Sequence, residues 1–173
     1  MIISLIGYRG TGKTTVGMLL ADRLGWACID SDRQIQETVG KSIRQIFDED
    51  GEAAFRDWES RVITELTRRH KLVLALGGGA VLRESNRRAI QVAGPVVWLS
   101  ADARTIQERL QADPETFRQR PSLTGLSPVD EVSRVLAERL PIYQQAADVT
   151  IETDAKSPKE IVDMIIERLE LEC

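Results

Sequence analysis

The stretch Ile2-Ile3-Ser4-Leu5-Ile6-Gly7-Tyr8-Arg9-Gly10-Thr11-Gly12-Lys13-Thr14-Thr15 decides the fold. Its first five residues form a short, β-rich apolar run. Gly7 to Thr14 then match GxxxxGK[ST], a loop that joins a buried strand to a helix and turns successive backbone N–H groups toward phosphate oxygens. Glycines allow the curl, and a helix beginning near Lys13 adds the positive end of its dipole. In this pattern Lys13 faces the β- and γ-phosphates of a nucleotide and the Thr14 hydroxyl suits Mg2+, while Gly10, Thr11, Gly12 and Thr15 complete the cradle. A glycine-rich turn with a chance lysine is the alternative, and the apolar strand before it and helical period after it argue against that. The motif alone does not separate kinases from GTPases or other ATPases.

Working outward, short apolar runs at 27–30, 72–76, 96–99 and 149–152 alternate with stretches of helical period at 13–24, 52–69, 103–111, 128–145 and 157–171. That rhythm predicts a parallel sheet wrapped by crossover helices. The strand runs are apolar almost throughout instead of alternating, as expected where both faces are covered. The expected class is a doubly wound α/β fold. Within 52–69, the spacing of Phe55, Trp58, Val62 and Leu66 predicts one buried stripe, with Arg56 and Glu59 on the adjacent face. Pro114, Pro121 and Gly125 punctuate the most loop-like interior segment, 113–125, where a flap is expected.

The 173 residues suit a single domain, 1–173, and 42% hydrophobic with 29% charged residues is ordinary globular composition. A formal net charge of −4 argues against a nucleic-acid-binding face. No apolar run approaches membrane-spanning length and no basic segment precedes an apolar one, so a cytoplasmic protein without membrane partner is expected. The two cysteines, Cys28 and Cys173, make neither a disulfide framework nor a metal cluster, and the single histidine, His70, carries no chemistry.

The second strand ends in Asp30-Ser31-Asp32, at the sheet edge where open α/β folds bind ligands. One carboxylate can serve Mg2+ and the other can accept a proton from an attacking hydroxyl, although Asp32 read alone fits a helix N-cap. Gly77-Gly78-Gly79 follows the third strand, more glycine than a turn needs, which points to a ligand close to the backbone. Arg139 lies seven residues after Val132 and four before Tyr143, hence along the apolar stripe of its helix. An inward cation there needs either a structural carboxylate or a ligand anion. Arg56 poses the same question, with Glu52 and Glu59 as candidate partners on its own helix. Arg109, Arg118 and Arg120 lie beside or within the flap, where arginines suit transition-state charge stabilisation or simply face solvent.

Taken in order, the phosphate loop, Asp30-Ser31-Asp32, Phe55-Arg56, Gly77-Gly78-Gly79-Ala80, Arg120-Pro121 and Arg139-Leu140-Pro141-Ile142-Tyr143 resemble the shikimate kinases across essentially the whole chain. The resemblance implies five parallel strands in the order 2-3-1-4-5, a substrate-binding helical region over about 31–69 and a lid over about 112–125. It implies ATP with Mg2+, transfer of the γ-phosphate to the 3-hydroxyl of shikimate in the chorismate pathway, and a monomer. It further implies that Asp32, Arg56, Gly77, Gly78, Gly79 and Arg139 hold shikimate, with Arg56 and Arg139 on its carboxylate. Asp32 is then the base, Lys13 and Arg120 stabilise the phosphoryl group, and Thr14 with Asp30 serves the metal. The resemblance further implies an adenine loop at 153–158 with Lys156 near the base, and Arg109, Arg120 and Pro158 among the residues that bind the nucleotide. Competing expectations are another small-molecule kinase of the same fold, such as a gluconate or nucleotide monophosphate kinase, and a nucleotide-binding module without turnover.

Overall fold

The structure, a computed structural model, describes residues 1–113 and 128–172. Five strands, β1 (Ile2–Ile6), β2 (Ala27–Asp30), β3 (Leu72–Ala75), β4 (Val96–Ser100) and β5 (Val149–Glu152), form one parallel sheet in the order β2-β3-β1-β4-β5. Ile3 pairs with Val73 and Leu5 with Val97, which sets the central strands in register.

Side chains alternate along each strand, so a run apolar throughout supplies two cores. Ile3, Leu5, Val73, Val97, Leu99 and Ile151 meet Val16, Leu20 and Ala21 of α1 (Lys13–Leu24) together with residues near the C-terminus. Ile2, Ile6, Leu72, Leu74 and Val96 meet Ile35, Phe55, Val62, Ile63, Ile90 and Tyr143 on the opposite face. Covering on both faces holds for β1, β3 and β4 and fails at the edges. In β2 no residue is fully buried, and in β5 only Ile151 is, because an edge strand has one flank open to solvent.

The expected helices are present with slightly different limits: α4 (Gly51–Leu66), α6 (Ala103–Ala112), α7 (Pro128–Ala146) and α8 (Pro158–Arg168). Ser157 caps α8 and exchanges hydrogen bonds with Glu160 in a capping box, so the helix starts one residue later than its period suggests. Elements without a clear apolar stripe were not expected individually. These are α2 (Ser31–Val39), the three-residue α3 (Ile43–Gln45), a π turn (Ile46–Asp50) and α5 (Glu84–Ala93). Helix α2 buries only Ser31 and Ile35, and α5 only Asn86 and Ile90, too few to mark a 3.6-residue period. In α4 the stripe differs from expectation: Trp58 is half-buried while Glu59 is buried beside Phe55, Val62 and Ile63.

At the end of β1 the chain turns where no side chain fits. A Cβ at Gly7 would collide with the Leu99 carbonyl oxygen of β4, and its φ of 141° lies outside the range other residues adopt readily. On the other side, Tyr143 of α7 stacks on Trp98 with ring centroids 5.7 Å apart, and its hydroxyl donates to the Gly78 carbonyl at 2.6 Å. This bond ties α7 to the glycine run after β3. Tyr143→Phe removes a donor from a buried carbonyl and is expected to lower stability by about 1–2 kcal/mol with an unchanged m-value. Urea denaturation checks this; an unchanged midpoint would show that the bond contributes nothing.

Candidate active site

Beyond the carboxyl ends of β1, β2 and β3 lie two joined hollows. The wider one is lined by Gly10, Gly12, Lys13, Thr14 and Thr15 of the phosphate loop, by Asp30 and Asp32, by Gly77 and Gly78, and by Arg109. Thr11 lies outside this lining: its hydroxyl donates to the Tyr8 carbonyl at 2.8 Å. The Lys13 ammonium donates to the carbonyls of Gly7 at 2.9 Å and Tyr8 at 2.8 Å. Those are contacts that phosphate oxygens would compete for.

The Thr14 hydroxyl donates to Asp30 Oδ2 at 2.7 Å, and Asp30 Oδ1 accepts from the backbone N–H of Asp32 at 3.0 Å and of Arg33 at 3.3 Å. The helix cap expected at Asp32 is therefore Asp30, which leaves the Asp32 side chain directed into the hollow from the first turn of α2. Thr14 and Asp30 present hard oxygen donors side by side. Among the described residues no cluster of three or more His, Cys, Asp or Glu exists to cage a metal. A pair of oxygen ligands completed by phosphate and water suits Mg2+, which keeps much of its hydration shell, so the residues present fit that ion.

The narrower hollow is lined by Tyr8, Arg9, Asp32, Ile43, Phe47, Phe55, Arg56, Glu59, Gly78, Gly79 and Arg139. The structure thus brings Asp32, Arg56, Gly78, Gly79 and Arg139 together, while Gly77 lines the wider hollow. Arg56 has the partners its helix offered: Glu59 at 2.9 and 3.1 Å through Nη1, and Glu52 at 3.5 Å through Nη2. Arg139 differs. It is 9% exposed, its guanidinium carbon sits 5.9 Å from the Tyr8 ring centroid, and it has no hydrogen-bond partner among the described residues.

The glycines are required by what flanks them. A Cβ at Gly77 would overlap the Asp32 carboxylate, and one at Gly79 would lie 2.5 Å from the Arg56 guanidinium. Arg109 donates to Thr153 Oγ1 at 3.0 Å, to the Thr153 carbonyl at 2.9 Å and to the Gly10 carbonyl at 3.3 Å, joining α6 to the phosphate loop. Lys156 stands on the β5–α8 connection beyond Thr153 and Pro158 opens α8, both outside the lining of either hollow. Arg118 and Arg120, and most of the lid at 112–125, lie outside the described residues.

Sequence reasoning placed Glu59 on a face adjacent to the buried stripe, whereas its side chain is 1% exposed. Its spacing of four from both Phe55 and Ile63, each buried, is the signal that it faces inward. Tyr8, Ile43 and Phe47 were not singled out. Ile43 and Phe47 belong to elements too short to show a period.

The sequence pattern of the family described as Shikimate kinase matches residues 9–170. The chain is 43% identical to the shikimate kinase of Rhodopirellula baltica over 94% of its own length and 87% of that protein's. It is 40% identical to the shikimate kinase of Symbiobacterium thermophilum, covering 98% and 97% of the two chains. Among solved structures it is similar to the shikimate kinase from Acinetobacter baumannii in complex with shikimate. The TM-score is 0.91 at 37% identity, over 98% of this chain and 92% of that one.

Burial pushes the Glu59 carboxyl above its ordinary 4.5, against the opposing pull of Arg56 and, more weakly, of Arg139 and Arg83. A folded protein that holds this proton more tightly than the unfolded chain has the corresponding stability in full below 4.5 and loses it as pH rises through the raised value. Wild type is therefore expected to lose stability relative to Glu59→Gln as pH rises from about 4.5, with a constant difference above the raised value. Denaturant titrations at stepped pH check this. A wild type that instead gains on the Gln variant would mean that Arg56 outweighs burial.

Proposed function

The chain belongs to the shikimate kinase family, and on that premise we propose that its joined hollows carry the γ-phosphoryl group of ATP to the 3-hydroxyl of shikimate. The observation that carries the acceptor assignment is Arg139: a buried guanidinium facing the narrower hollow without a hydrogen-bond partner among the described residues. A cation so placed costs free energy until an anion meets it, and a planar carboxylate matches its fork. Arg56, already anchored by Glu59, supplies a second donor face for that carboxylate.

ATP is assigned to the wider hollow, its phosphates received by the N–H groups of the loop from Gly10 to Thr15 and by Lys13, which exchanges its carbonyl partners for the β- and γ-phosphates. Mg2+ on Thr14 and Asp30 would draw negative charge from the phosphates when bound. Shikimate lies against Gly77, Gly78 and Gly79, close to the backbone, with its hydroxyls toward Asp32. Asp32 accepts the proton of the 3-hydroxyl, the bond from that oxygen to the γ-phosphorus forms, and the bond from the phosphorus to the ADP oxygen breaks, its electron pair leaving with ADP. Arg120 on the lid at 112–125 is assigned to the phosphoryl charge, and Arg109, Lys156 and Pro158 to the adenosine side. The single domain, with its substrate-binding region at 31–69, is taken to act as a cytoplasmic monomer; among the described residues no helix is long and apolar enough to cross a membrane.

Release of ADP in a coupled assay, with shikimate set against related hydroxy acids, tests the assignment directly. Lys13→Ala is expected to keep the fold despite losing the hydrogen bonds to the Gly7 and Tyr8 carbonyls, and to lose turnover by roughly a hundred-fold or more, because it removes the charge assigned to phosphate. Near-normal turnover would sink the nucleotide assignment. For the acceptor, Arg139→Ala is expected to lower kcat/KM for shikimate by roughly thirty-fold to several thousand-fold while ATP binding changes little, as for a desolvated charge pair worth about 2–5 kcal/mol. Replacing the shikimate carboxylate by an amide should cost wild type about as much and the variant little more, since both changes delete one interaction. Losses that add independently would assign Arg139 to the structure instead of the ligand.

A further inference from the structure

The two hollows share few side chains: only Arg9, Asp32 and Ile43, with Gly78, line both. Arg9 is thus the one cation at their junction among the described residues, across which a phosphoryl group passing between them must travel. It projects from the phosphate loop itself, and its backbone nitrogen lies 3.3 Å from where a Cβ at Gly78 would stand.

Its guanidinium is held but not used up. The side chain is 13% exposed, Nη2 donates to Glu131 Oε1 at 3.2 Å, and the Glu131 side chain is itself only 3% exposed. The guanidinium carbon lies 5.7 Å from the Tyr8 ring centroid. Nε is buried with no hydrogen-bond partner among the described residues. Arginine carries five N–H donors, and a purely structural tie would be expected to engage both prongs of the fork on the carboxylate. A single contact leaves donors for another group of acceptor oxygens.

Resting on the phosphotransfer reading above, we propose that Arg9 is a further catalytic residue, its guanidinium contacting the γ-phosphoryl group in transit between the hollows, and that Glu131 of α7 is a positioning residue that aims it. Arg9 exchanges no proton and forms no bond: the phosphorus leaves the ADP oxygen, joins the acceptor oxygen, and the hydroxyl proton goes to Asp32. The guanidinium hydrogen-bonds the equatorial phosphoryl oxygens, whose charge spreads in the transition state. Glu131 keeps the cation from swinging to solvent, a constraint suited to a contact made only during transfer.

The test uses the full chain with ATP and shikimate. Arg9→Met is expected to lower kcat about a hundred-fold, while dissociation constants for ATP and shikimate, measured by calorimetry, stay within about three-fold. Arg9→Lys keeps the charge without the fork and should recover about ten-fold of that loss. Glu131→Gln should lower kcat about ten-fold in the wild-type background and not at all in Arg9→Met, because it acts through Arg9. Assembly of ADP, aluminium fluoride and shikimate into a transition-state-like complex should weaken in Arg9→Met in proportion to kcat, a readout that a structural tie would not move. If Arg9→Met fails to fold, Arg9→Lys and the aluminium fluoride complex decide the matter. A kcat within about three-fold of wild type, or a loss matched by equal losses in substrate affinity and melting temperature, overturns the proposal. A wild type that releases no ADP with shikimate overturns the acceptor reading as well, whereas an active wild type with an indifferent Arg9→Met overturns this proposal alone.

Discussion

The narrower hollow exists because the chain after β3 carries no side chains. The space a Cβ would need at Gly77 is occupied by the Asp32 carboxylate, and at Gly79 by the Arg56 guanidinium. Two elements distant in sequence thereby reach the same backbone, one from the first turn of α2 and the other from α4. Hydrogen bonds hold the bare segment against both sides: Ser31 Oγ accepts from the Gly77 N–H at 3.0 Å, and the Tyr143 hydroxyl donates to the Gly78 carbonyl at 2.6 Å. A larger residue at Gly77 or Gly79 would have to displace the Asp32 carboxylate or the Arg56 guanidinium from its place. The entropy that glycines lose on folding is offset here by the approach of charged groups to a main chain that the proposed acceptor would also approach.

Much of this was legible in the sequence because the informative residues are contiguous or periodic. The phosphate loop is one uninterrupted motif, and β1, β3 and β4 are apolar throughout because helices cover both their faces. Position on an edge escapes such a reading, which is why β2 and β5 prove more exposed than expected. Helices α2 and α5 went unseen individually for a related reason: each buries two residues, one of them polar, so α2 rests on its Asp30 cap and both rest on neighbours supplied by the tertiary structure.

In the site, residue identity was easier to read than division of labour. Asp30 and Asp32 stand out together, but which of them caps α2 depends on the turn between strand and helix, and the turn gives that role to Asp30. This assignment has a chemical consequence. Asp30 is committed to two backbone N–H groups and to Thr14, so it is held still, whereas Asp32 faces both hollows. Glu59 illustrates the converse difficulty: a carboxylate at an apolar position looks misplaced in a one-dimensional pattern until the arginine facing it is known. Arg9 and Glu131 are 122 positions apart, and no local pattern relates them.

The buried charges around the hollows are not equivalent, and the differences follow from their partners. Arg56 is neutralised twice over on its own helix, and Arg9 by Glu131, so each can be buried without a ligand. Arg139 feels Glu59 only at a distance, since that carboxylate is already engaged by Arg56. The arrangement concentrates uncompensated positive charge at one point of an otherwise balanced pocket. On the proposed assignment, an acidic protein of net charge −4 would bind a small anion through buried guanidinium groups, with no need for a basic surface. On the assignment proposed for Arg139, a neutral analogue of the acceptor would leave the cation buried and unmet, so the guanidinium would favour an acceptor that bears a carboxylate.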